Sequence, residues 1–181
     1  MSDPRVARTQ MHVLTTARRL LVEHTSEPLT FTLLAKEAQV SRRTLYTHWG
    51  TIEKVISAAV TVHADEDDPD QSDLTPRERL GSYLYAFRDR IAEPVTAVAL
   101  TALVGQSAHD EDAASSVREL AQSRITKFRT RVGPISDEQF AILFGPLFYS
   151  QLVTREPASD ELVESLIDVG AEMLKLDSAL V

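Results

Sequence analysis

The sequence predicts an all-α protein of about nine helices, and three observations carry that expectation. Apolar residues recur at helical spacing almost throughout, while alternation with period two is absent. Glycine is scarce, with six in 181 residues, and the prolines stand where elements are expected to end. Capping-box signals precede apolar runs at Thr75-Pro76-Arg77-Glu78 and at Ser136 with Gln139.

The elements follow in order. Helix one is expected over Pro4–His24, with Val13, Leu14, Ala17, Leu20 and Leu21 as one apolar stripe. Thr25–Leu29 reads as a loop. Thr30 can cap a short second helix whose inward residues are Phe31, Leu34, Ala35 and Ala38. Gln39 and Val40 form a turn, and Ser41 caps a third helix through about Trp49. Gly50 ends that helix, and Thr51 can cap a fourth, Ile52–Val62. The fifth starts at the Thr75 capping box and carries Leu80, Leu84, Phe87 and Ile91. Pro94 punctuates, and Val95–Gln106 reads as a buried sixth helix. His109–Asp112 opens a seventh, ended by Gly133-Pro134. The eighth runs from Ser136 to about Thr154, with a kink expected at Gly145 and Pro146, and Pro157 and Ser159 introduce the last, to about Leu176.

Composition excludes several classes. With 43% hydrophobic and 25% charged residues the chain is globular rather than disordered. Without cysteine there is no disulfide, thiolate metal site or cysteine nucleophile. The start, MSDPRVARTQ, lacks the apolar core of a signal peptide, so a cytoplasmic protein is expected. The most apolar stretches, Val95–Val104 and Phe140–Tyr149, are about half the ~20 residues of a membrane span, so no membrane partner is expected. There is no Gly-rich phosphate loop, HExxH or nucleophile elbow, and the five histidines are scattered, so no enzyme, cofactor or metal site is expected.

The formal net charge of −8 argues against a nucleic-acid partner until it is divided along the chain. Residues 1–62 hold eight basic and five acidic residues, a net +3, which leaves −11 for the rest. His63–Asp73 (HADEDDPDQSD) holds six carboxylates and no Lys or Arg, and reads as a solvated acidic linker. The expected organisation is a helix-turn-helix segment over 1–62, a linker over 63–73 and a larger helical domain over 74–181.

Two short capped helices joined by a tight turn, behind a longer first helix, describe a helix-turn-helix reader of DNA. On a helical wheel Leu45 and Trp49 point inward with Val40, and Arg43, Thr44 and Thr47 point outward. Arg42 and Tyr46 form one flank and His48 the other. No carboxylate occurs from Gln39 to Thr51, so nothing on this stretch repels phosphate. A helical interaction protein whose arginine face meets an acidic protein stays open as an alternative, and a small-molecule enzyme is a more distant one.

Phe31–Trp49, FTLLAKEAQVSRRTLYTHW, resembles the signature of TetR-type bacterial transcriptional regulators: the turn Ala38-Gln39-Val40-Ser41, then Thr44-Leu45-Tyr46 and His48-Trp49. The segment Phe144-Gly145-Pro146-Leu147-Phe148-Tyr149 is similar, more loosely, to one branch of the family's C-terminal domain. Two positions depart from the pattern: Gln39 stands where the family has Gly, and Ile52 where it often has a phosphate-holding lysine. The resemblance implies a homodimer, paired through its last two helices with Leu143, Leu147, Leu152, Leu162, Leu166 and Val169 as candidate packing residues, that binds a near-palindromic double-stranded operator and acts as a ligand-responsive repressor. It implies DNA contacts from Thr30, Ser41, Arg42, Arg43, Thr44, Tyr46, Thr47, His48, Thr51 and Lys54. It also implies a pocket for an unidentified small-molecule effector in the ligand-binding and dimerisation domain, with Leu84, Phe87, Val98, Leu103, Phe128 and Phe148 as candidate lining.

Overall fold

The computed structural model describes residues 4–23, 28–61 and 73–176. Among these there are nine α-helices and no strand. They are α1 (Pro4–Glu23), α2 (Phe31–Glu37), α3 (Arg42–Trp49), α4 (Ile52–Thr61), α5 (Pro76–Ala92), α6 (Pro94–Gln106), α7 (Glu111–Arg131), α8 (Asp137–Tyr149) and α9 (Asp160–Met173). The expected acidic linker and the loop after α1 fall largely outside the described residues.

The local signals act as expected at most helix starts. The side-chain oxygens of Thr30, Ser41, Thr75, Ser136 and Ser159 each accept a backbone N–H of the first helical turn. Thr75 with Glu78 and Ser136 with Gln139 both close as capping boxes. The Thr75 hydroxyl and amide hold the Glu78 carboxyl below its ordinary pKa. At α7 the cap is Asp110, whose carboxylate accepts the Ala113 amide at 2.9 Å.

The helices form two compact units that interleave along the chain rather than follow it in order. The first comprises Met1–Asp68 and Pro94–Leu120; the second comprises Pro69–Glu93 and Ala121–Val181. The sequence division at 62 and 74 follows chain order, whereas the contacts place α6 and the first half of α7 with α1–α4. Helix α6 packs on α1 and α4, which also pack on each other. The expected α1 stripe is the core of this unit, joined by Leu34, Leu45, Val55, Ala59, Ala99 and Leu103, all fully buried. Arg18 donates to the Ala59 carbonyl at 2.7 Å, tying α1 to the last turns of α4. Helix α6 is less buried than its composition suggests. Thr96, Ala99, Leu100 and Leu103 face inward, but Val104 is exposed.

In the second unit α5 packs on α8 and α9, and α8 on α9. An aromatic cluster fills it. Phe140 stacks on Phe144 at 4.0 Å between ring centres, and Phe144 meets Tyr83, Phe87 and Phe128 edge to face at 4.7–5.9 Å. Polar ties run from α5 to α9, among them Arg77 to Asp168, Arg88 to Asp160, and the Tyr85 hydroxyl to Glu164 at 2.7 Å. The Glu164 carboxylate, accepting that bond, pushes the Tyr85 phenol up to about 12.

Helix eight departs from the expected single run. It is α-helical to Tyr149 and continues as a π-helical turn over Ser150–Thr154. Arg155, with φ 63°, closes it in the left-handed region. Pro146 lies inside α8 and has no N–H to donate to the preceding turn.

The α9 crossing is close enough to require glycine at one point. A Cβ on Gly170 would stand 2.8 Å from Leu80 Cδ2 and 3.2 Å from Leu143 Cδ2, and both leucines are fully buried. Gly170→Ala is therefore expected to overpack the core and cost about 1–3 kcal/mol, read as a lower midpoint in urea unfolding.

Candidate nucleic-acid interface

The pair α2–α3 is positioned by hydrogen bonds local to its turn. After α2 the Val40 amide donates to the Ala35 carbonyl at 3.0 Å and the Gln39 amide to the Lys36 carbonyl at 3.3 Å. That is the Schellman pattern of helix termination, and it needs a left-handed residue where Gln39 stands. Gln39 has φ 53°, inside that region. Ser41 then starts α3: its hydroxyl accepts the Thr44 amide at 3.0 Å. From α1, the His12 ring meets the Ala38 carbonyl at 3.2 Å.

Leu45, fully buried, is the one α3 residue that reaches the core. Trp49 and Val40, expected to dock beside it, are only half-buried. Arg42, Arg43, Thr47 and His48 are exposed. Tyr46 is 59% exposed, yet its ring is held edge-on to Phe31 of α2 at 4.6 Å. The His48 ring meets that of Trp49 edge to face at 5.7 Å. Neither Arg42 nor Arg43 makes an ion pair among the described residues. The nearest α2 carboxylate before the turn, Glu37, is held by Arg19 at 3.1 Å.

The two threonines on α3 are more committed to the helix than a wheel implies. Thr44 is half-buried, and its hydroxyl shares a 2.8 Å bond with that of Ser41. Thr47 donates to the Arg43 carbonyl at 2.8 Å, which leaves its oxygen and methyl facing out. Gly50, with φ 76°, ends α3, and its amide donates to the Tyr46 carbonyl at 3.0 Å. Thr51 accepts the Lys54 amide at 3.4 Å and so starts α4, with Lys54 itself exposed.

A cleft of about 390 Å³ opens between the starts of α2 and α4 and one flank of α3, lined by Thr30, Thr32, Arg42, Tyr46, Thr51 and Ile52 among others. It gathers four of the expected contact residues: Thr30, Arg42, Tyr46 and Thr51. Arg43, Thr44, Thr47, His48 and Lys54 do not line it. Thr32 went unnoticed in the sequence, although it lies two residues past the Thr30 cap, on the same first turn.

Residues 13–59 match the family model of bacterial regulatory proteins, tetR family. That match is a likeness of the N-terminal segment. The helix-turn-helix pair, α2 and α3, lies within those residues. Similarity to solved structures runs much further. A TetR family transcription regulator, SCO0332, is 26% identical with a TM-score of 0.64, covering 92% of this chain and 97% of that one. A TetR transcriptional regulator from Agrobacterium tumefaciens, 21% identical with a TM-score of 0.57, covers 96% and 98%. A TetR family transcriptional regulator from Pseudomonas syringae, 16% identical with a TM-score of 0.52, covers 95% and 97%. The last two share the fold. No curated protein matches the chain. Over nearly its whole length the chain thus shares the all-α fold of these solved regulators.

Among the described residues, no helix is long and apolar enough to cross a membrane, and no group of three or more His, Asp and Glu could hold a metal ion. The candidate effector-lining residues do not fall in one unit. Leu84, Phe87, Phe128 and Phe148 belong to the second, Val98 and Leu103 to the first. Leu84, Phe87, Leu103 and Phe128 are buried core, while Val98 and Phe148 are half-buried.

The left-handed turn residue makes a direct test of this turn geometry. Gln39→Gly is expected to stabilise the protein by about 0.5–1 kcal/mol in urea unfolding, by relieving a side chain from the left-handed region. Gln39→Val, β-branched in the same place, is expected to lower the midpoint.

Proposed function

We propose that this protein is a transcription regulator of the tetR type, a homodimeric repressor that reads a near-palindromic operator through α3 and releases it on binding a small-molecule effector. The observation that carries the DNA reading is the α3 surface. Arg42 and Arg43 stand exposed without carboxylate partners among the described residues, on a helix whose roll is set by Leu45, within a stretch that has no acidic residue from Gln39 to Thr51. An interaction module that met acidic protein would use the same arginines. It would have no need of a hydroxyl-lined cleft beside them.

The dimer reading rests on the last two helices. Ile142, Tyr149 and Val153 on helix eight and its π-helical turn, and Val169 on α9, are 45–64% exposed. Gly145, on the same helix, has open space around it. Of the residues expected to pack between subunits, Leu143, Leu147 and Leu166 are buried within the chain, Leu152 and Leu162 are half-buried, and Val169 faces out. Exposed large apolar side chains gathered on two helices suit burial against a second copy. Two-fold symmetry would then set two α3 helices about one DNA turn apart.

For the effector, the favoured seat is beside the aromatic cluster of the second unit, at half-buried Phe148, whose ring lies 5.4 Å from that of Phe87. A compound that bound the DNA-bound and free forms equally would shift nothing, so the effector must favour the form that leaves DNA.

Selection of genomic fragments by the purified protein is expected to return a near-palindrome with half-sites about one helical turn apart. Recovery of random fragments alone at moderate salt would contradict the reading, because non-specific binding fades with salt. The double variant Tyr149→Asp with Val153→Asp is expected to sediment as a monomer and lose operator binding, while its helical circular dichroism is kept.

A further inference from the structure

The two arginines that open α3 stand in different surroundings. Arg42 lines the cleft between the starts of α2 and α4, with Tyr46, Thr30, Thr32 and Thr51; Arg43, one residue on, does not. Helical geometry accounts for this. Arg42 and Tyr46 are four residues apart and share a flank, whereas Arg43 and Thr47 share the side turned away from buried Leu45. Arg43 therefore stands on the crest of the helix, the part that projects furthest from the bundle, and Arg42 stands beside a concavity.

The chemistry of the two places differs as well. The cleft offers one guanidinium, the Tyr46 phenol and threonine hydroxyls, and no acidic residue lines it. Thr30 accepts the Leu33 amide at 3.2 Å and Thr51 the Lys54 amide at 3.4 Å, so each hydroxyl keeps its own proton to donate outward. Tyr46 is braced by Phe31, which holds its ring at the cleft. Donors that line one hollow together with a single cation suit a phosphodiester oxygen of duplex DNA; a base edge in the major groove is met by a projecting side chain.

We infer that Arg42 holds a backbone phosphate in this cleft while Arg43 reads a base edge, so that the two neighbours divide affinity from specificity. The inference rests on the DNA-reading role of α3 proposed above and assigns its parts. Its test starts from the duplex that the wild-type protein selects from a random pool. Wild type, Arg42→Ala, Arg42→Lys and Arg43→Ala are then measured on that duplex and on a scrambled one across a salt series, and the selection is repeated with each variant.

Arg42→Ala is expected to weaken both duplexes by the same factor and to flatten the slope of log affinity against log salt by about 0.9 per subunit, with the selected motif unchanged. Arg42→Lys should restore the slope, since a lysine can still neutralise the phosphate. Arg43→Ala should relax one position in each half-site, losing about 5–150-fold discrimination there. An altered motif with an unchanged slope for Arg42→Ala would overturn the assignment, as would a flattened slope with an intact motif for Arg43→Ala. A wild-type protein that selects no motif overturns the regulator reading itself, a result distinct from either of these.

Discussion

The amides of Gln39 and Val40 donate back to the carbonyls of Lys36 and Ala35, and the direction of α3 follows from those two bonds. They end α2 in the left-handed residue and aim the chain at Ser41, whose hydroxyl starts the next helix at once. Leu45 then fixes the roll of α3 by entering the core. A slip of one residue in this turn would rotate α3 by about 100° and carry Arg42 and Arg43 off their present faces. The cleft depends on the same turn, because Arg42 and Tyr46 on α3 meet Thr30 on α2 there only while the angle between the helices holds. The chain keeps this geometry with glutamine in place of glycine, at a local cost in backbone strain.

Electrostatics acts on top of that geometry and is local. The net charge of −8 averages a +3 segment with a −11 remainder. At physiological salt charges more than about 8 Å apart are largely screened, so a phosphate beside α3 responds to its immediate surroundings. There it meets two arginines without an ion pair among the described residues, and the Glu37 carboxylate near the turn is already answered by Arg19. By sign, the −11 remainder would repel a phosphate backbone, whereas the +3 segment would attract one.

Much of the helix-turn-helix was legible because its signals are local. Caps act within three residues, so Thr30, Ser41, Thr75, Ser136 and Ser159 could be read one by one. What depends on distant packing was not legible. Helices α6 and α8 are apolar on nearly every side, so periodicity could not say that Val104 and Ile142 face out while Leu103 and Leu143 face in. For the same reason Leu143, Leu147 and Leu166 looked like subunit contacts and are intramolecular core. The π-helical turn after Tyr149 has no sequence signature of its own. The cleft at α3 is built from the starts of two other helices, so its roof could not be foreseen from α3 alone.

The central claim is that the outward side of α3, held by this turn, is the surface that meets DNA. Amide chemical-shift mapping of the ¹⁵N-labelled protein on titration with its selected duplex tests it most directly. The account predicts the largest changes at Arg42, Arg43, Thr47 and Thr51, with the α5 and α9 amides little moved. Changes centred on α8 and α9, with α3 unmoved, would contradict it.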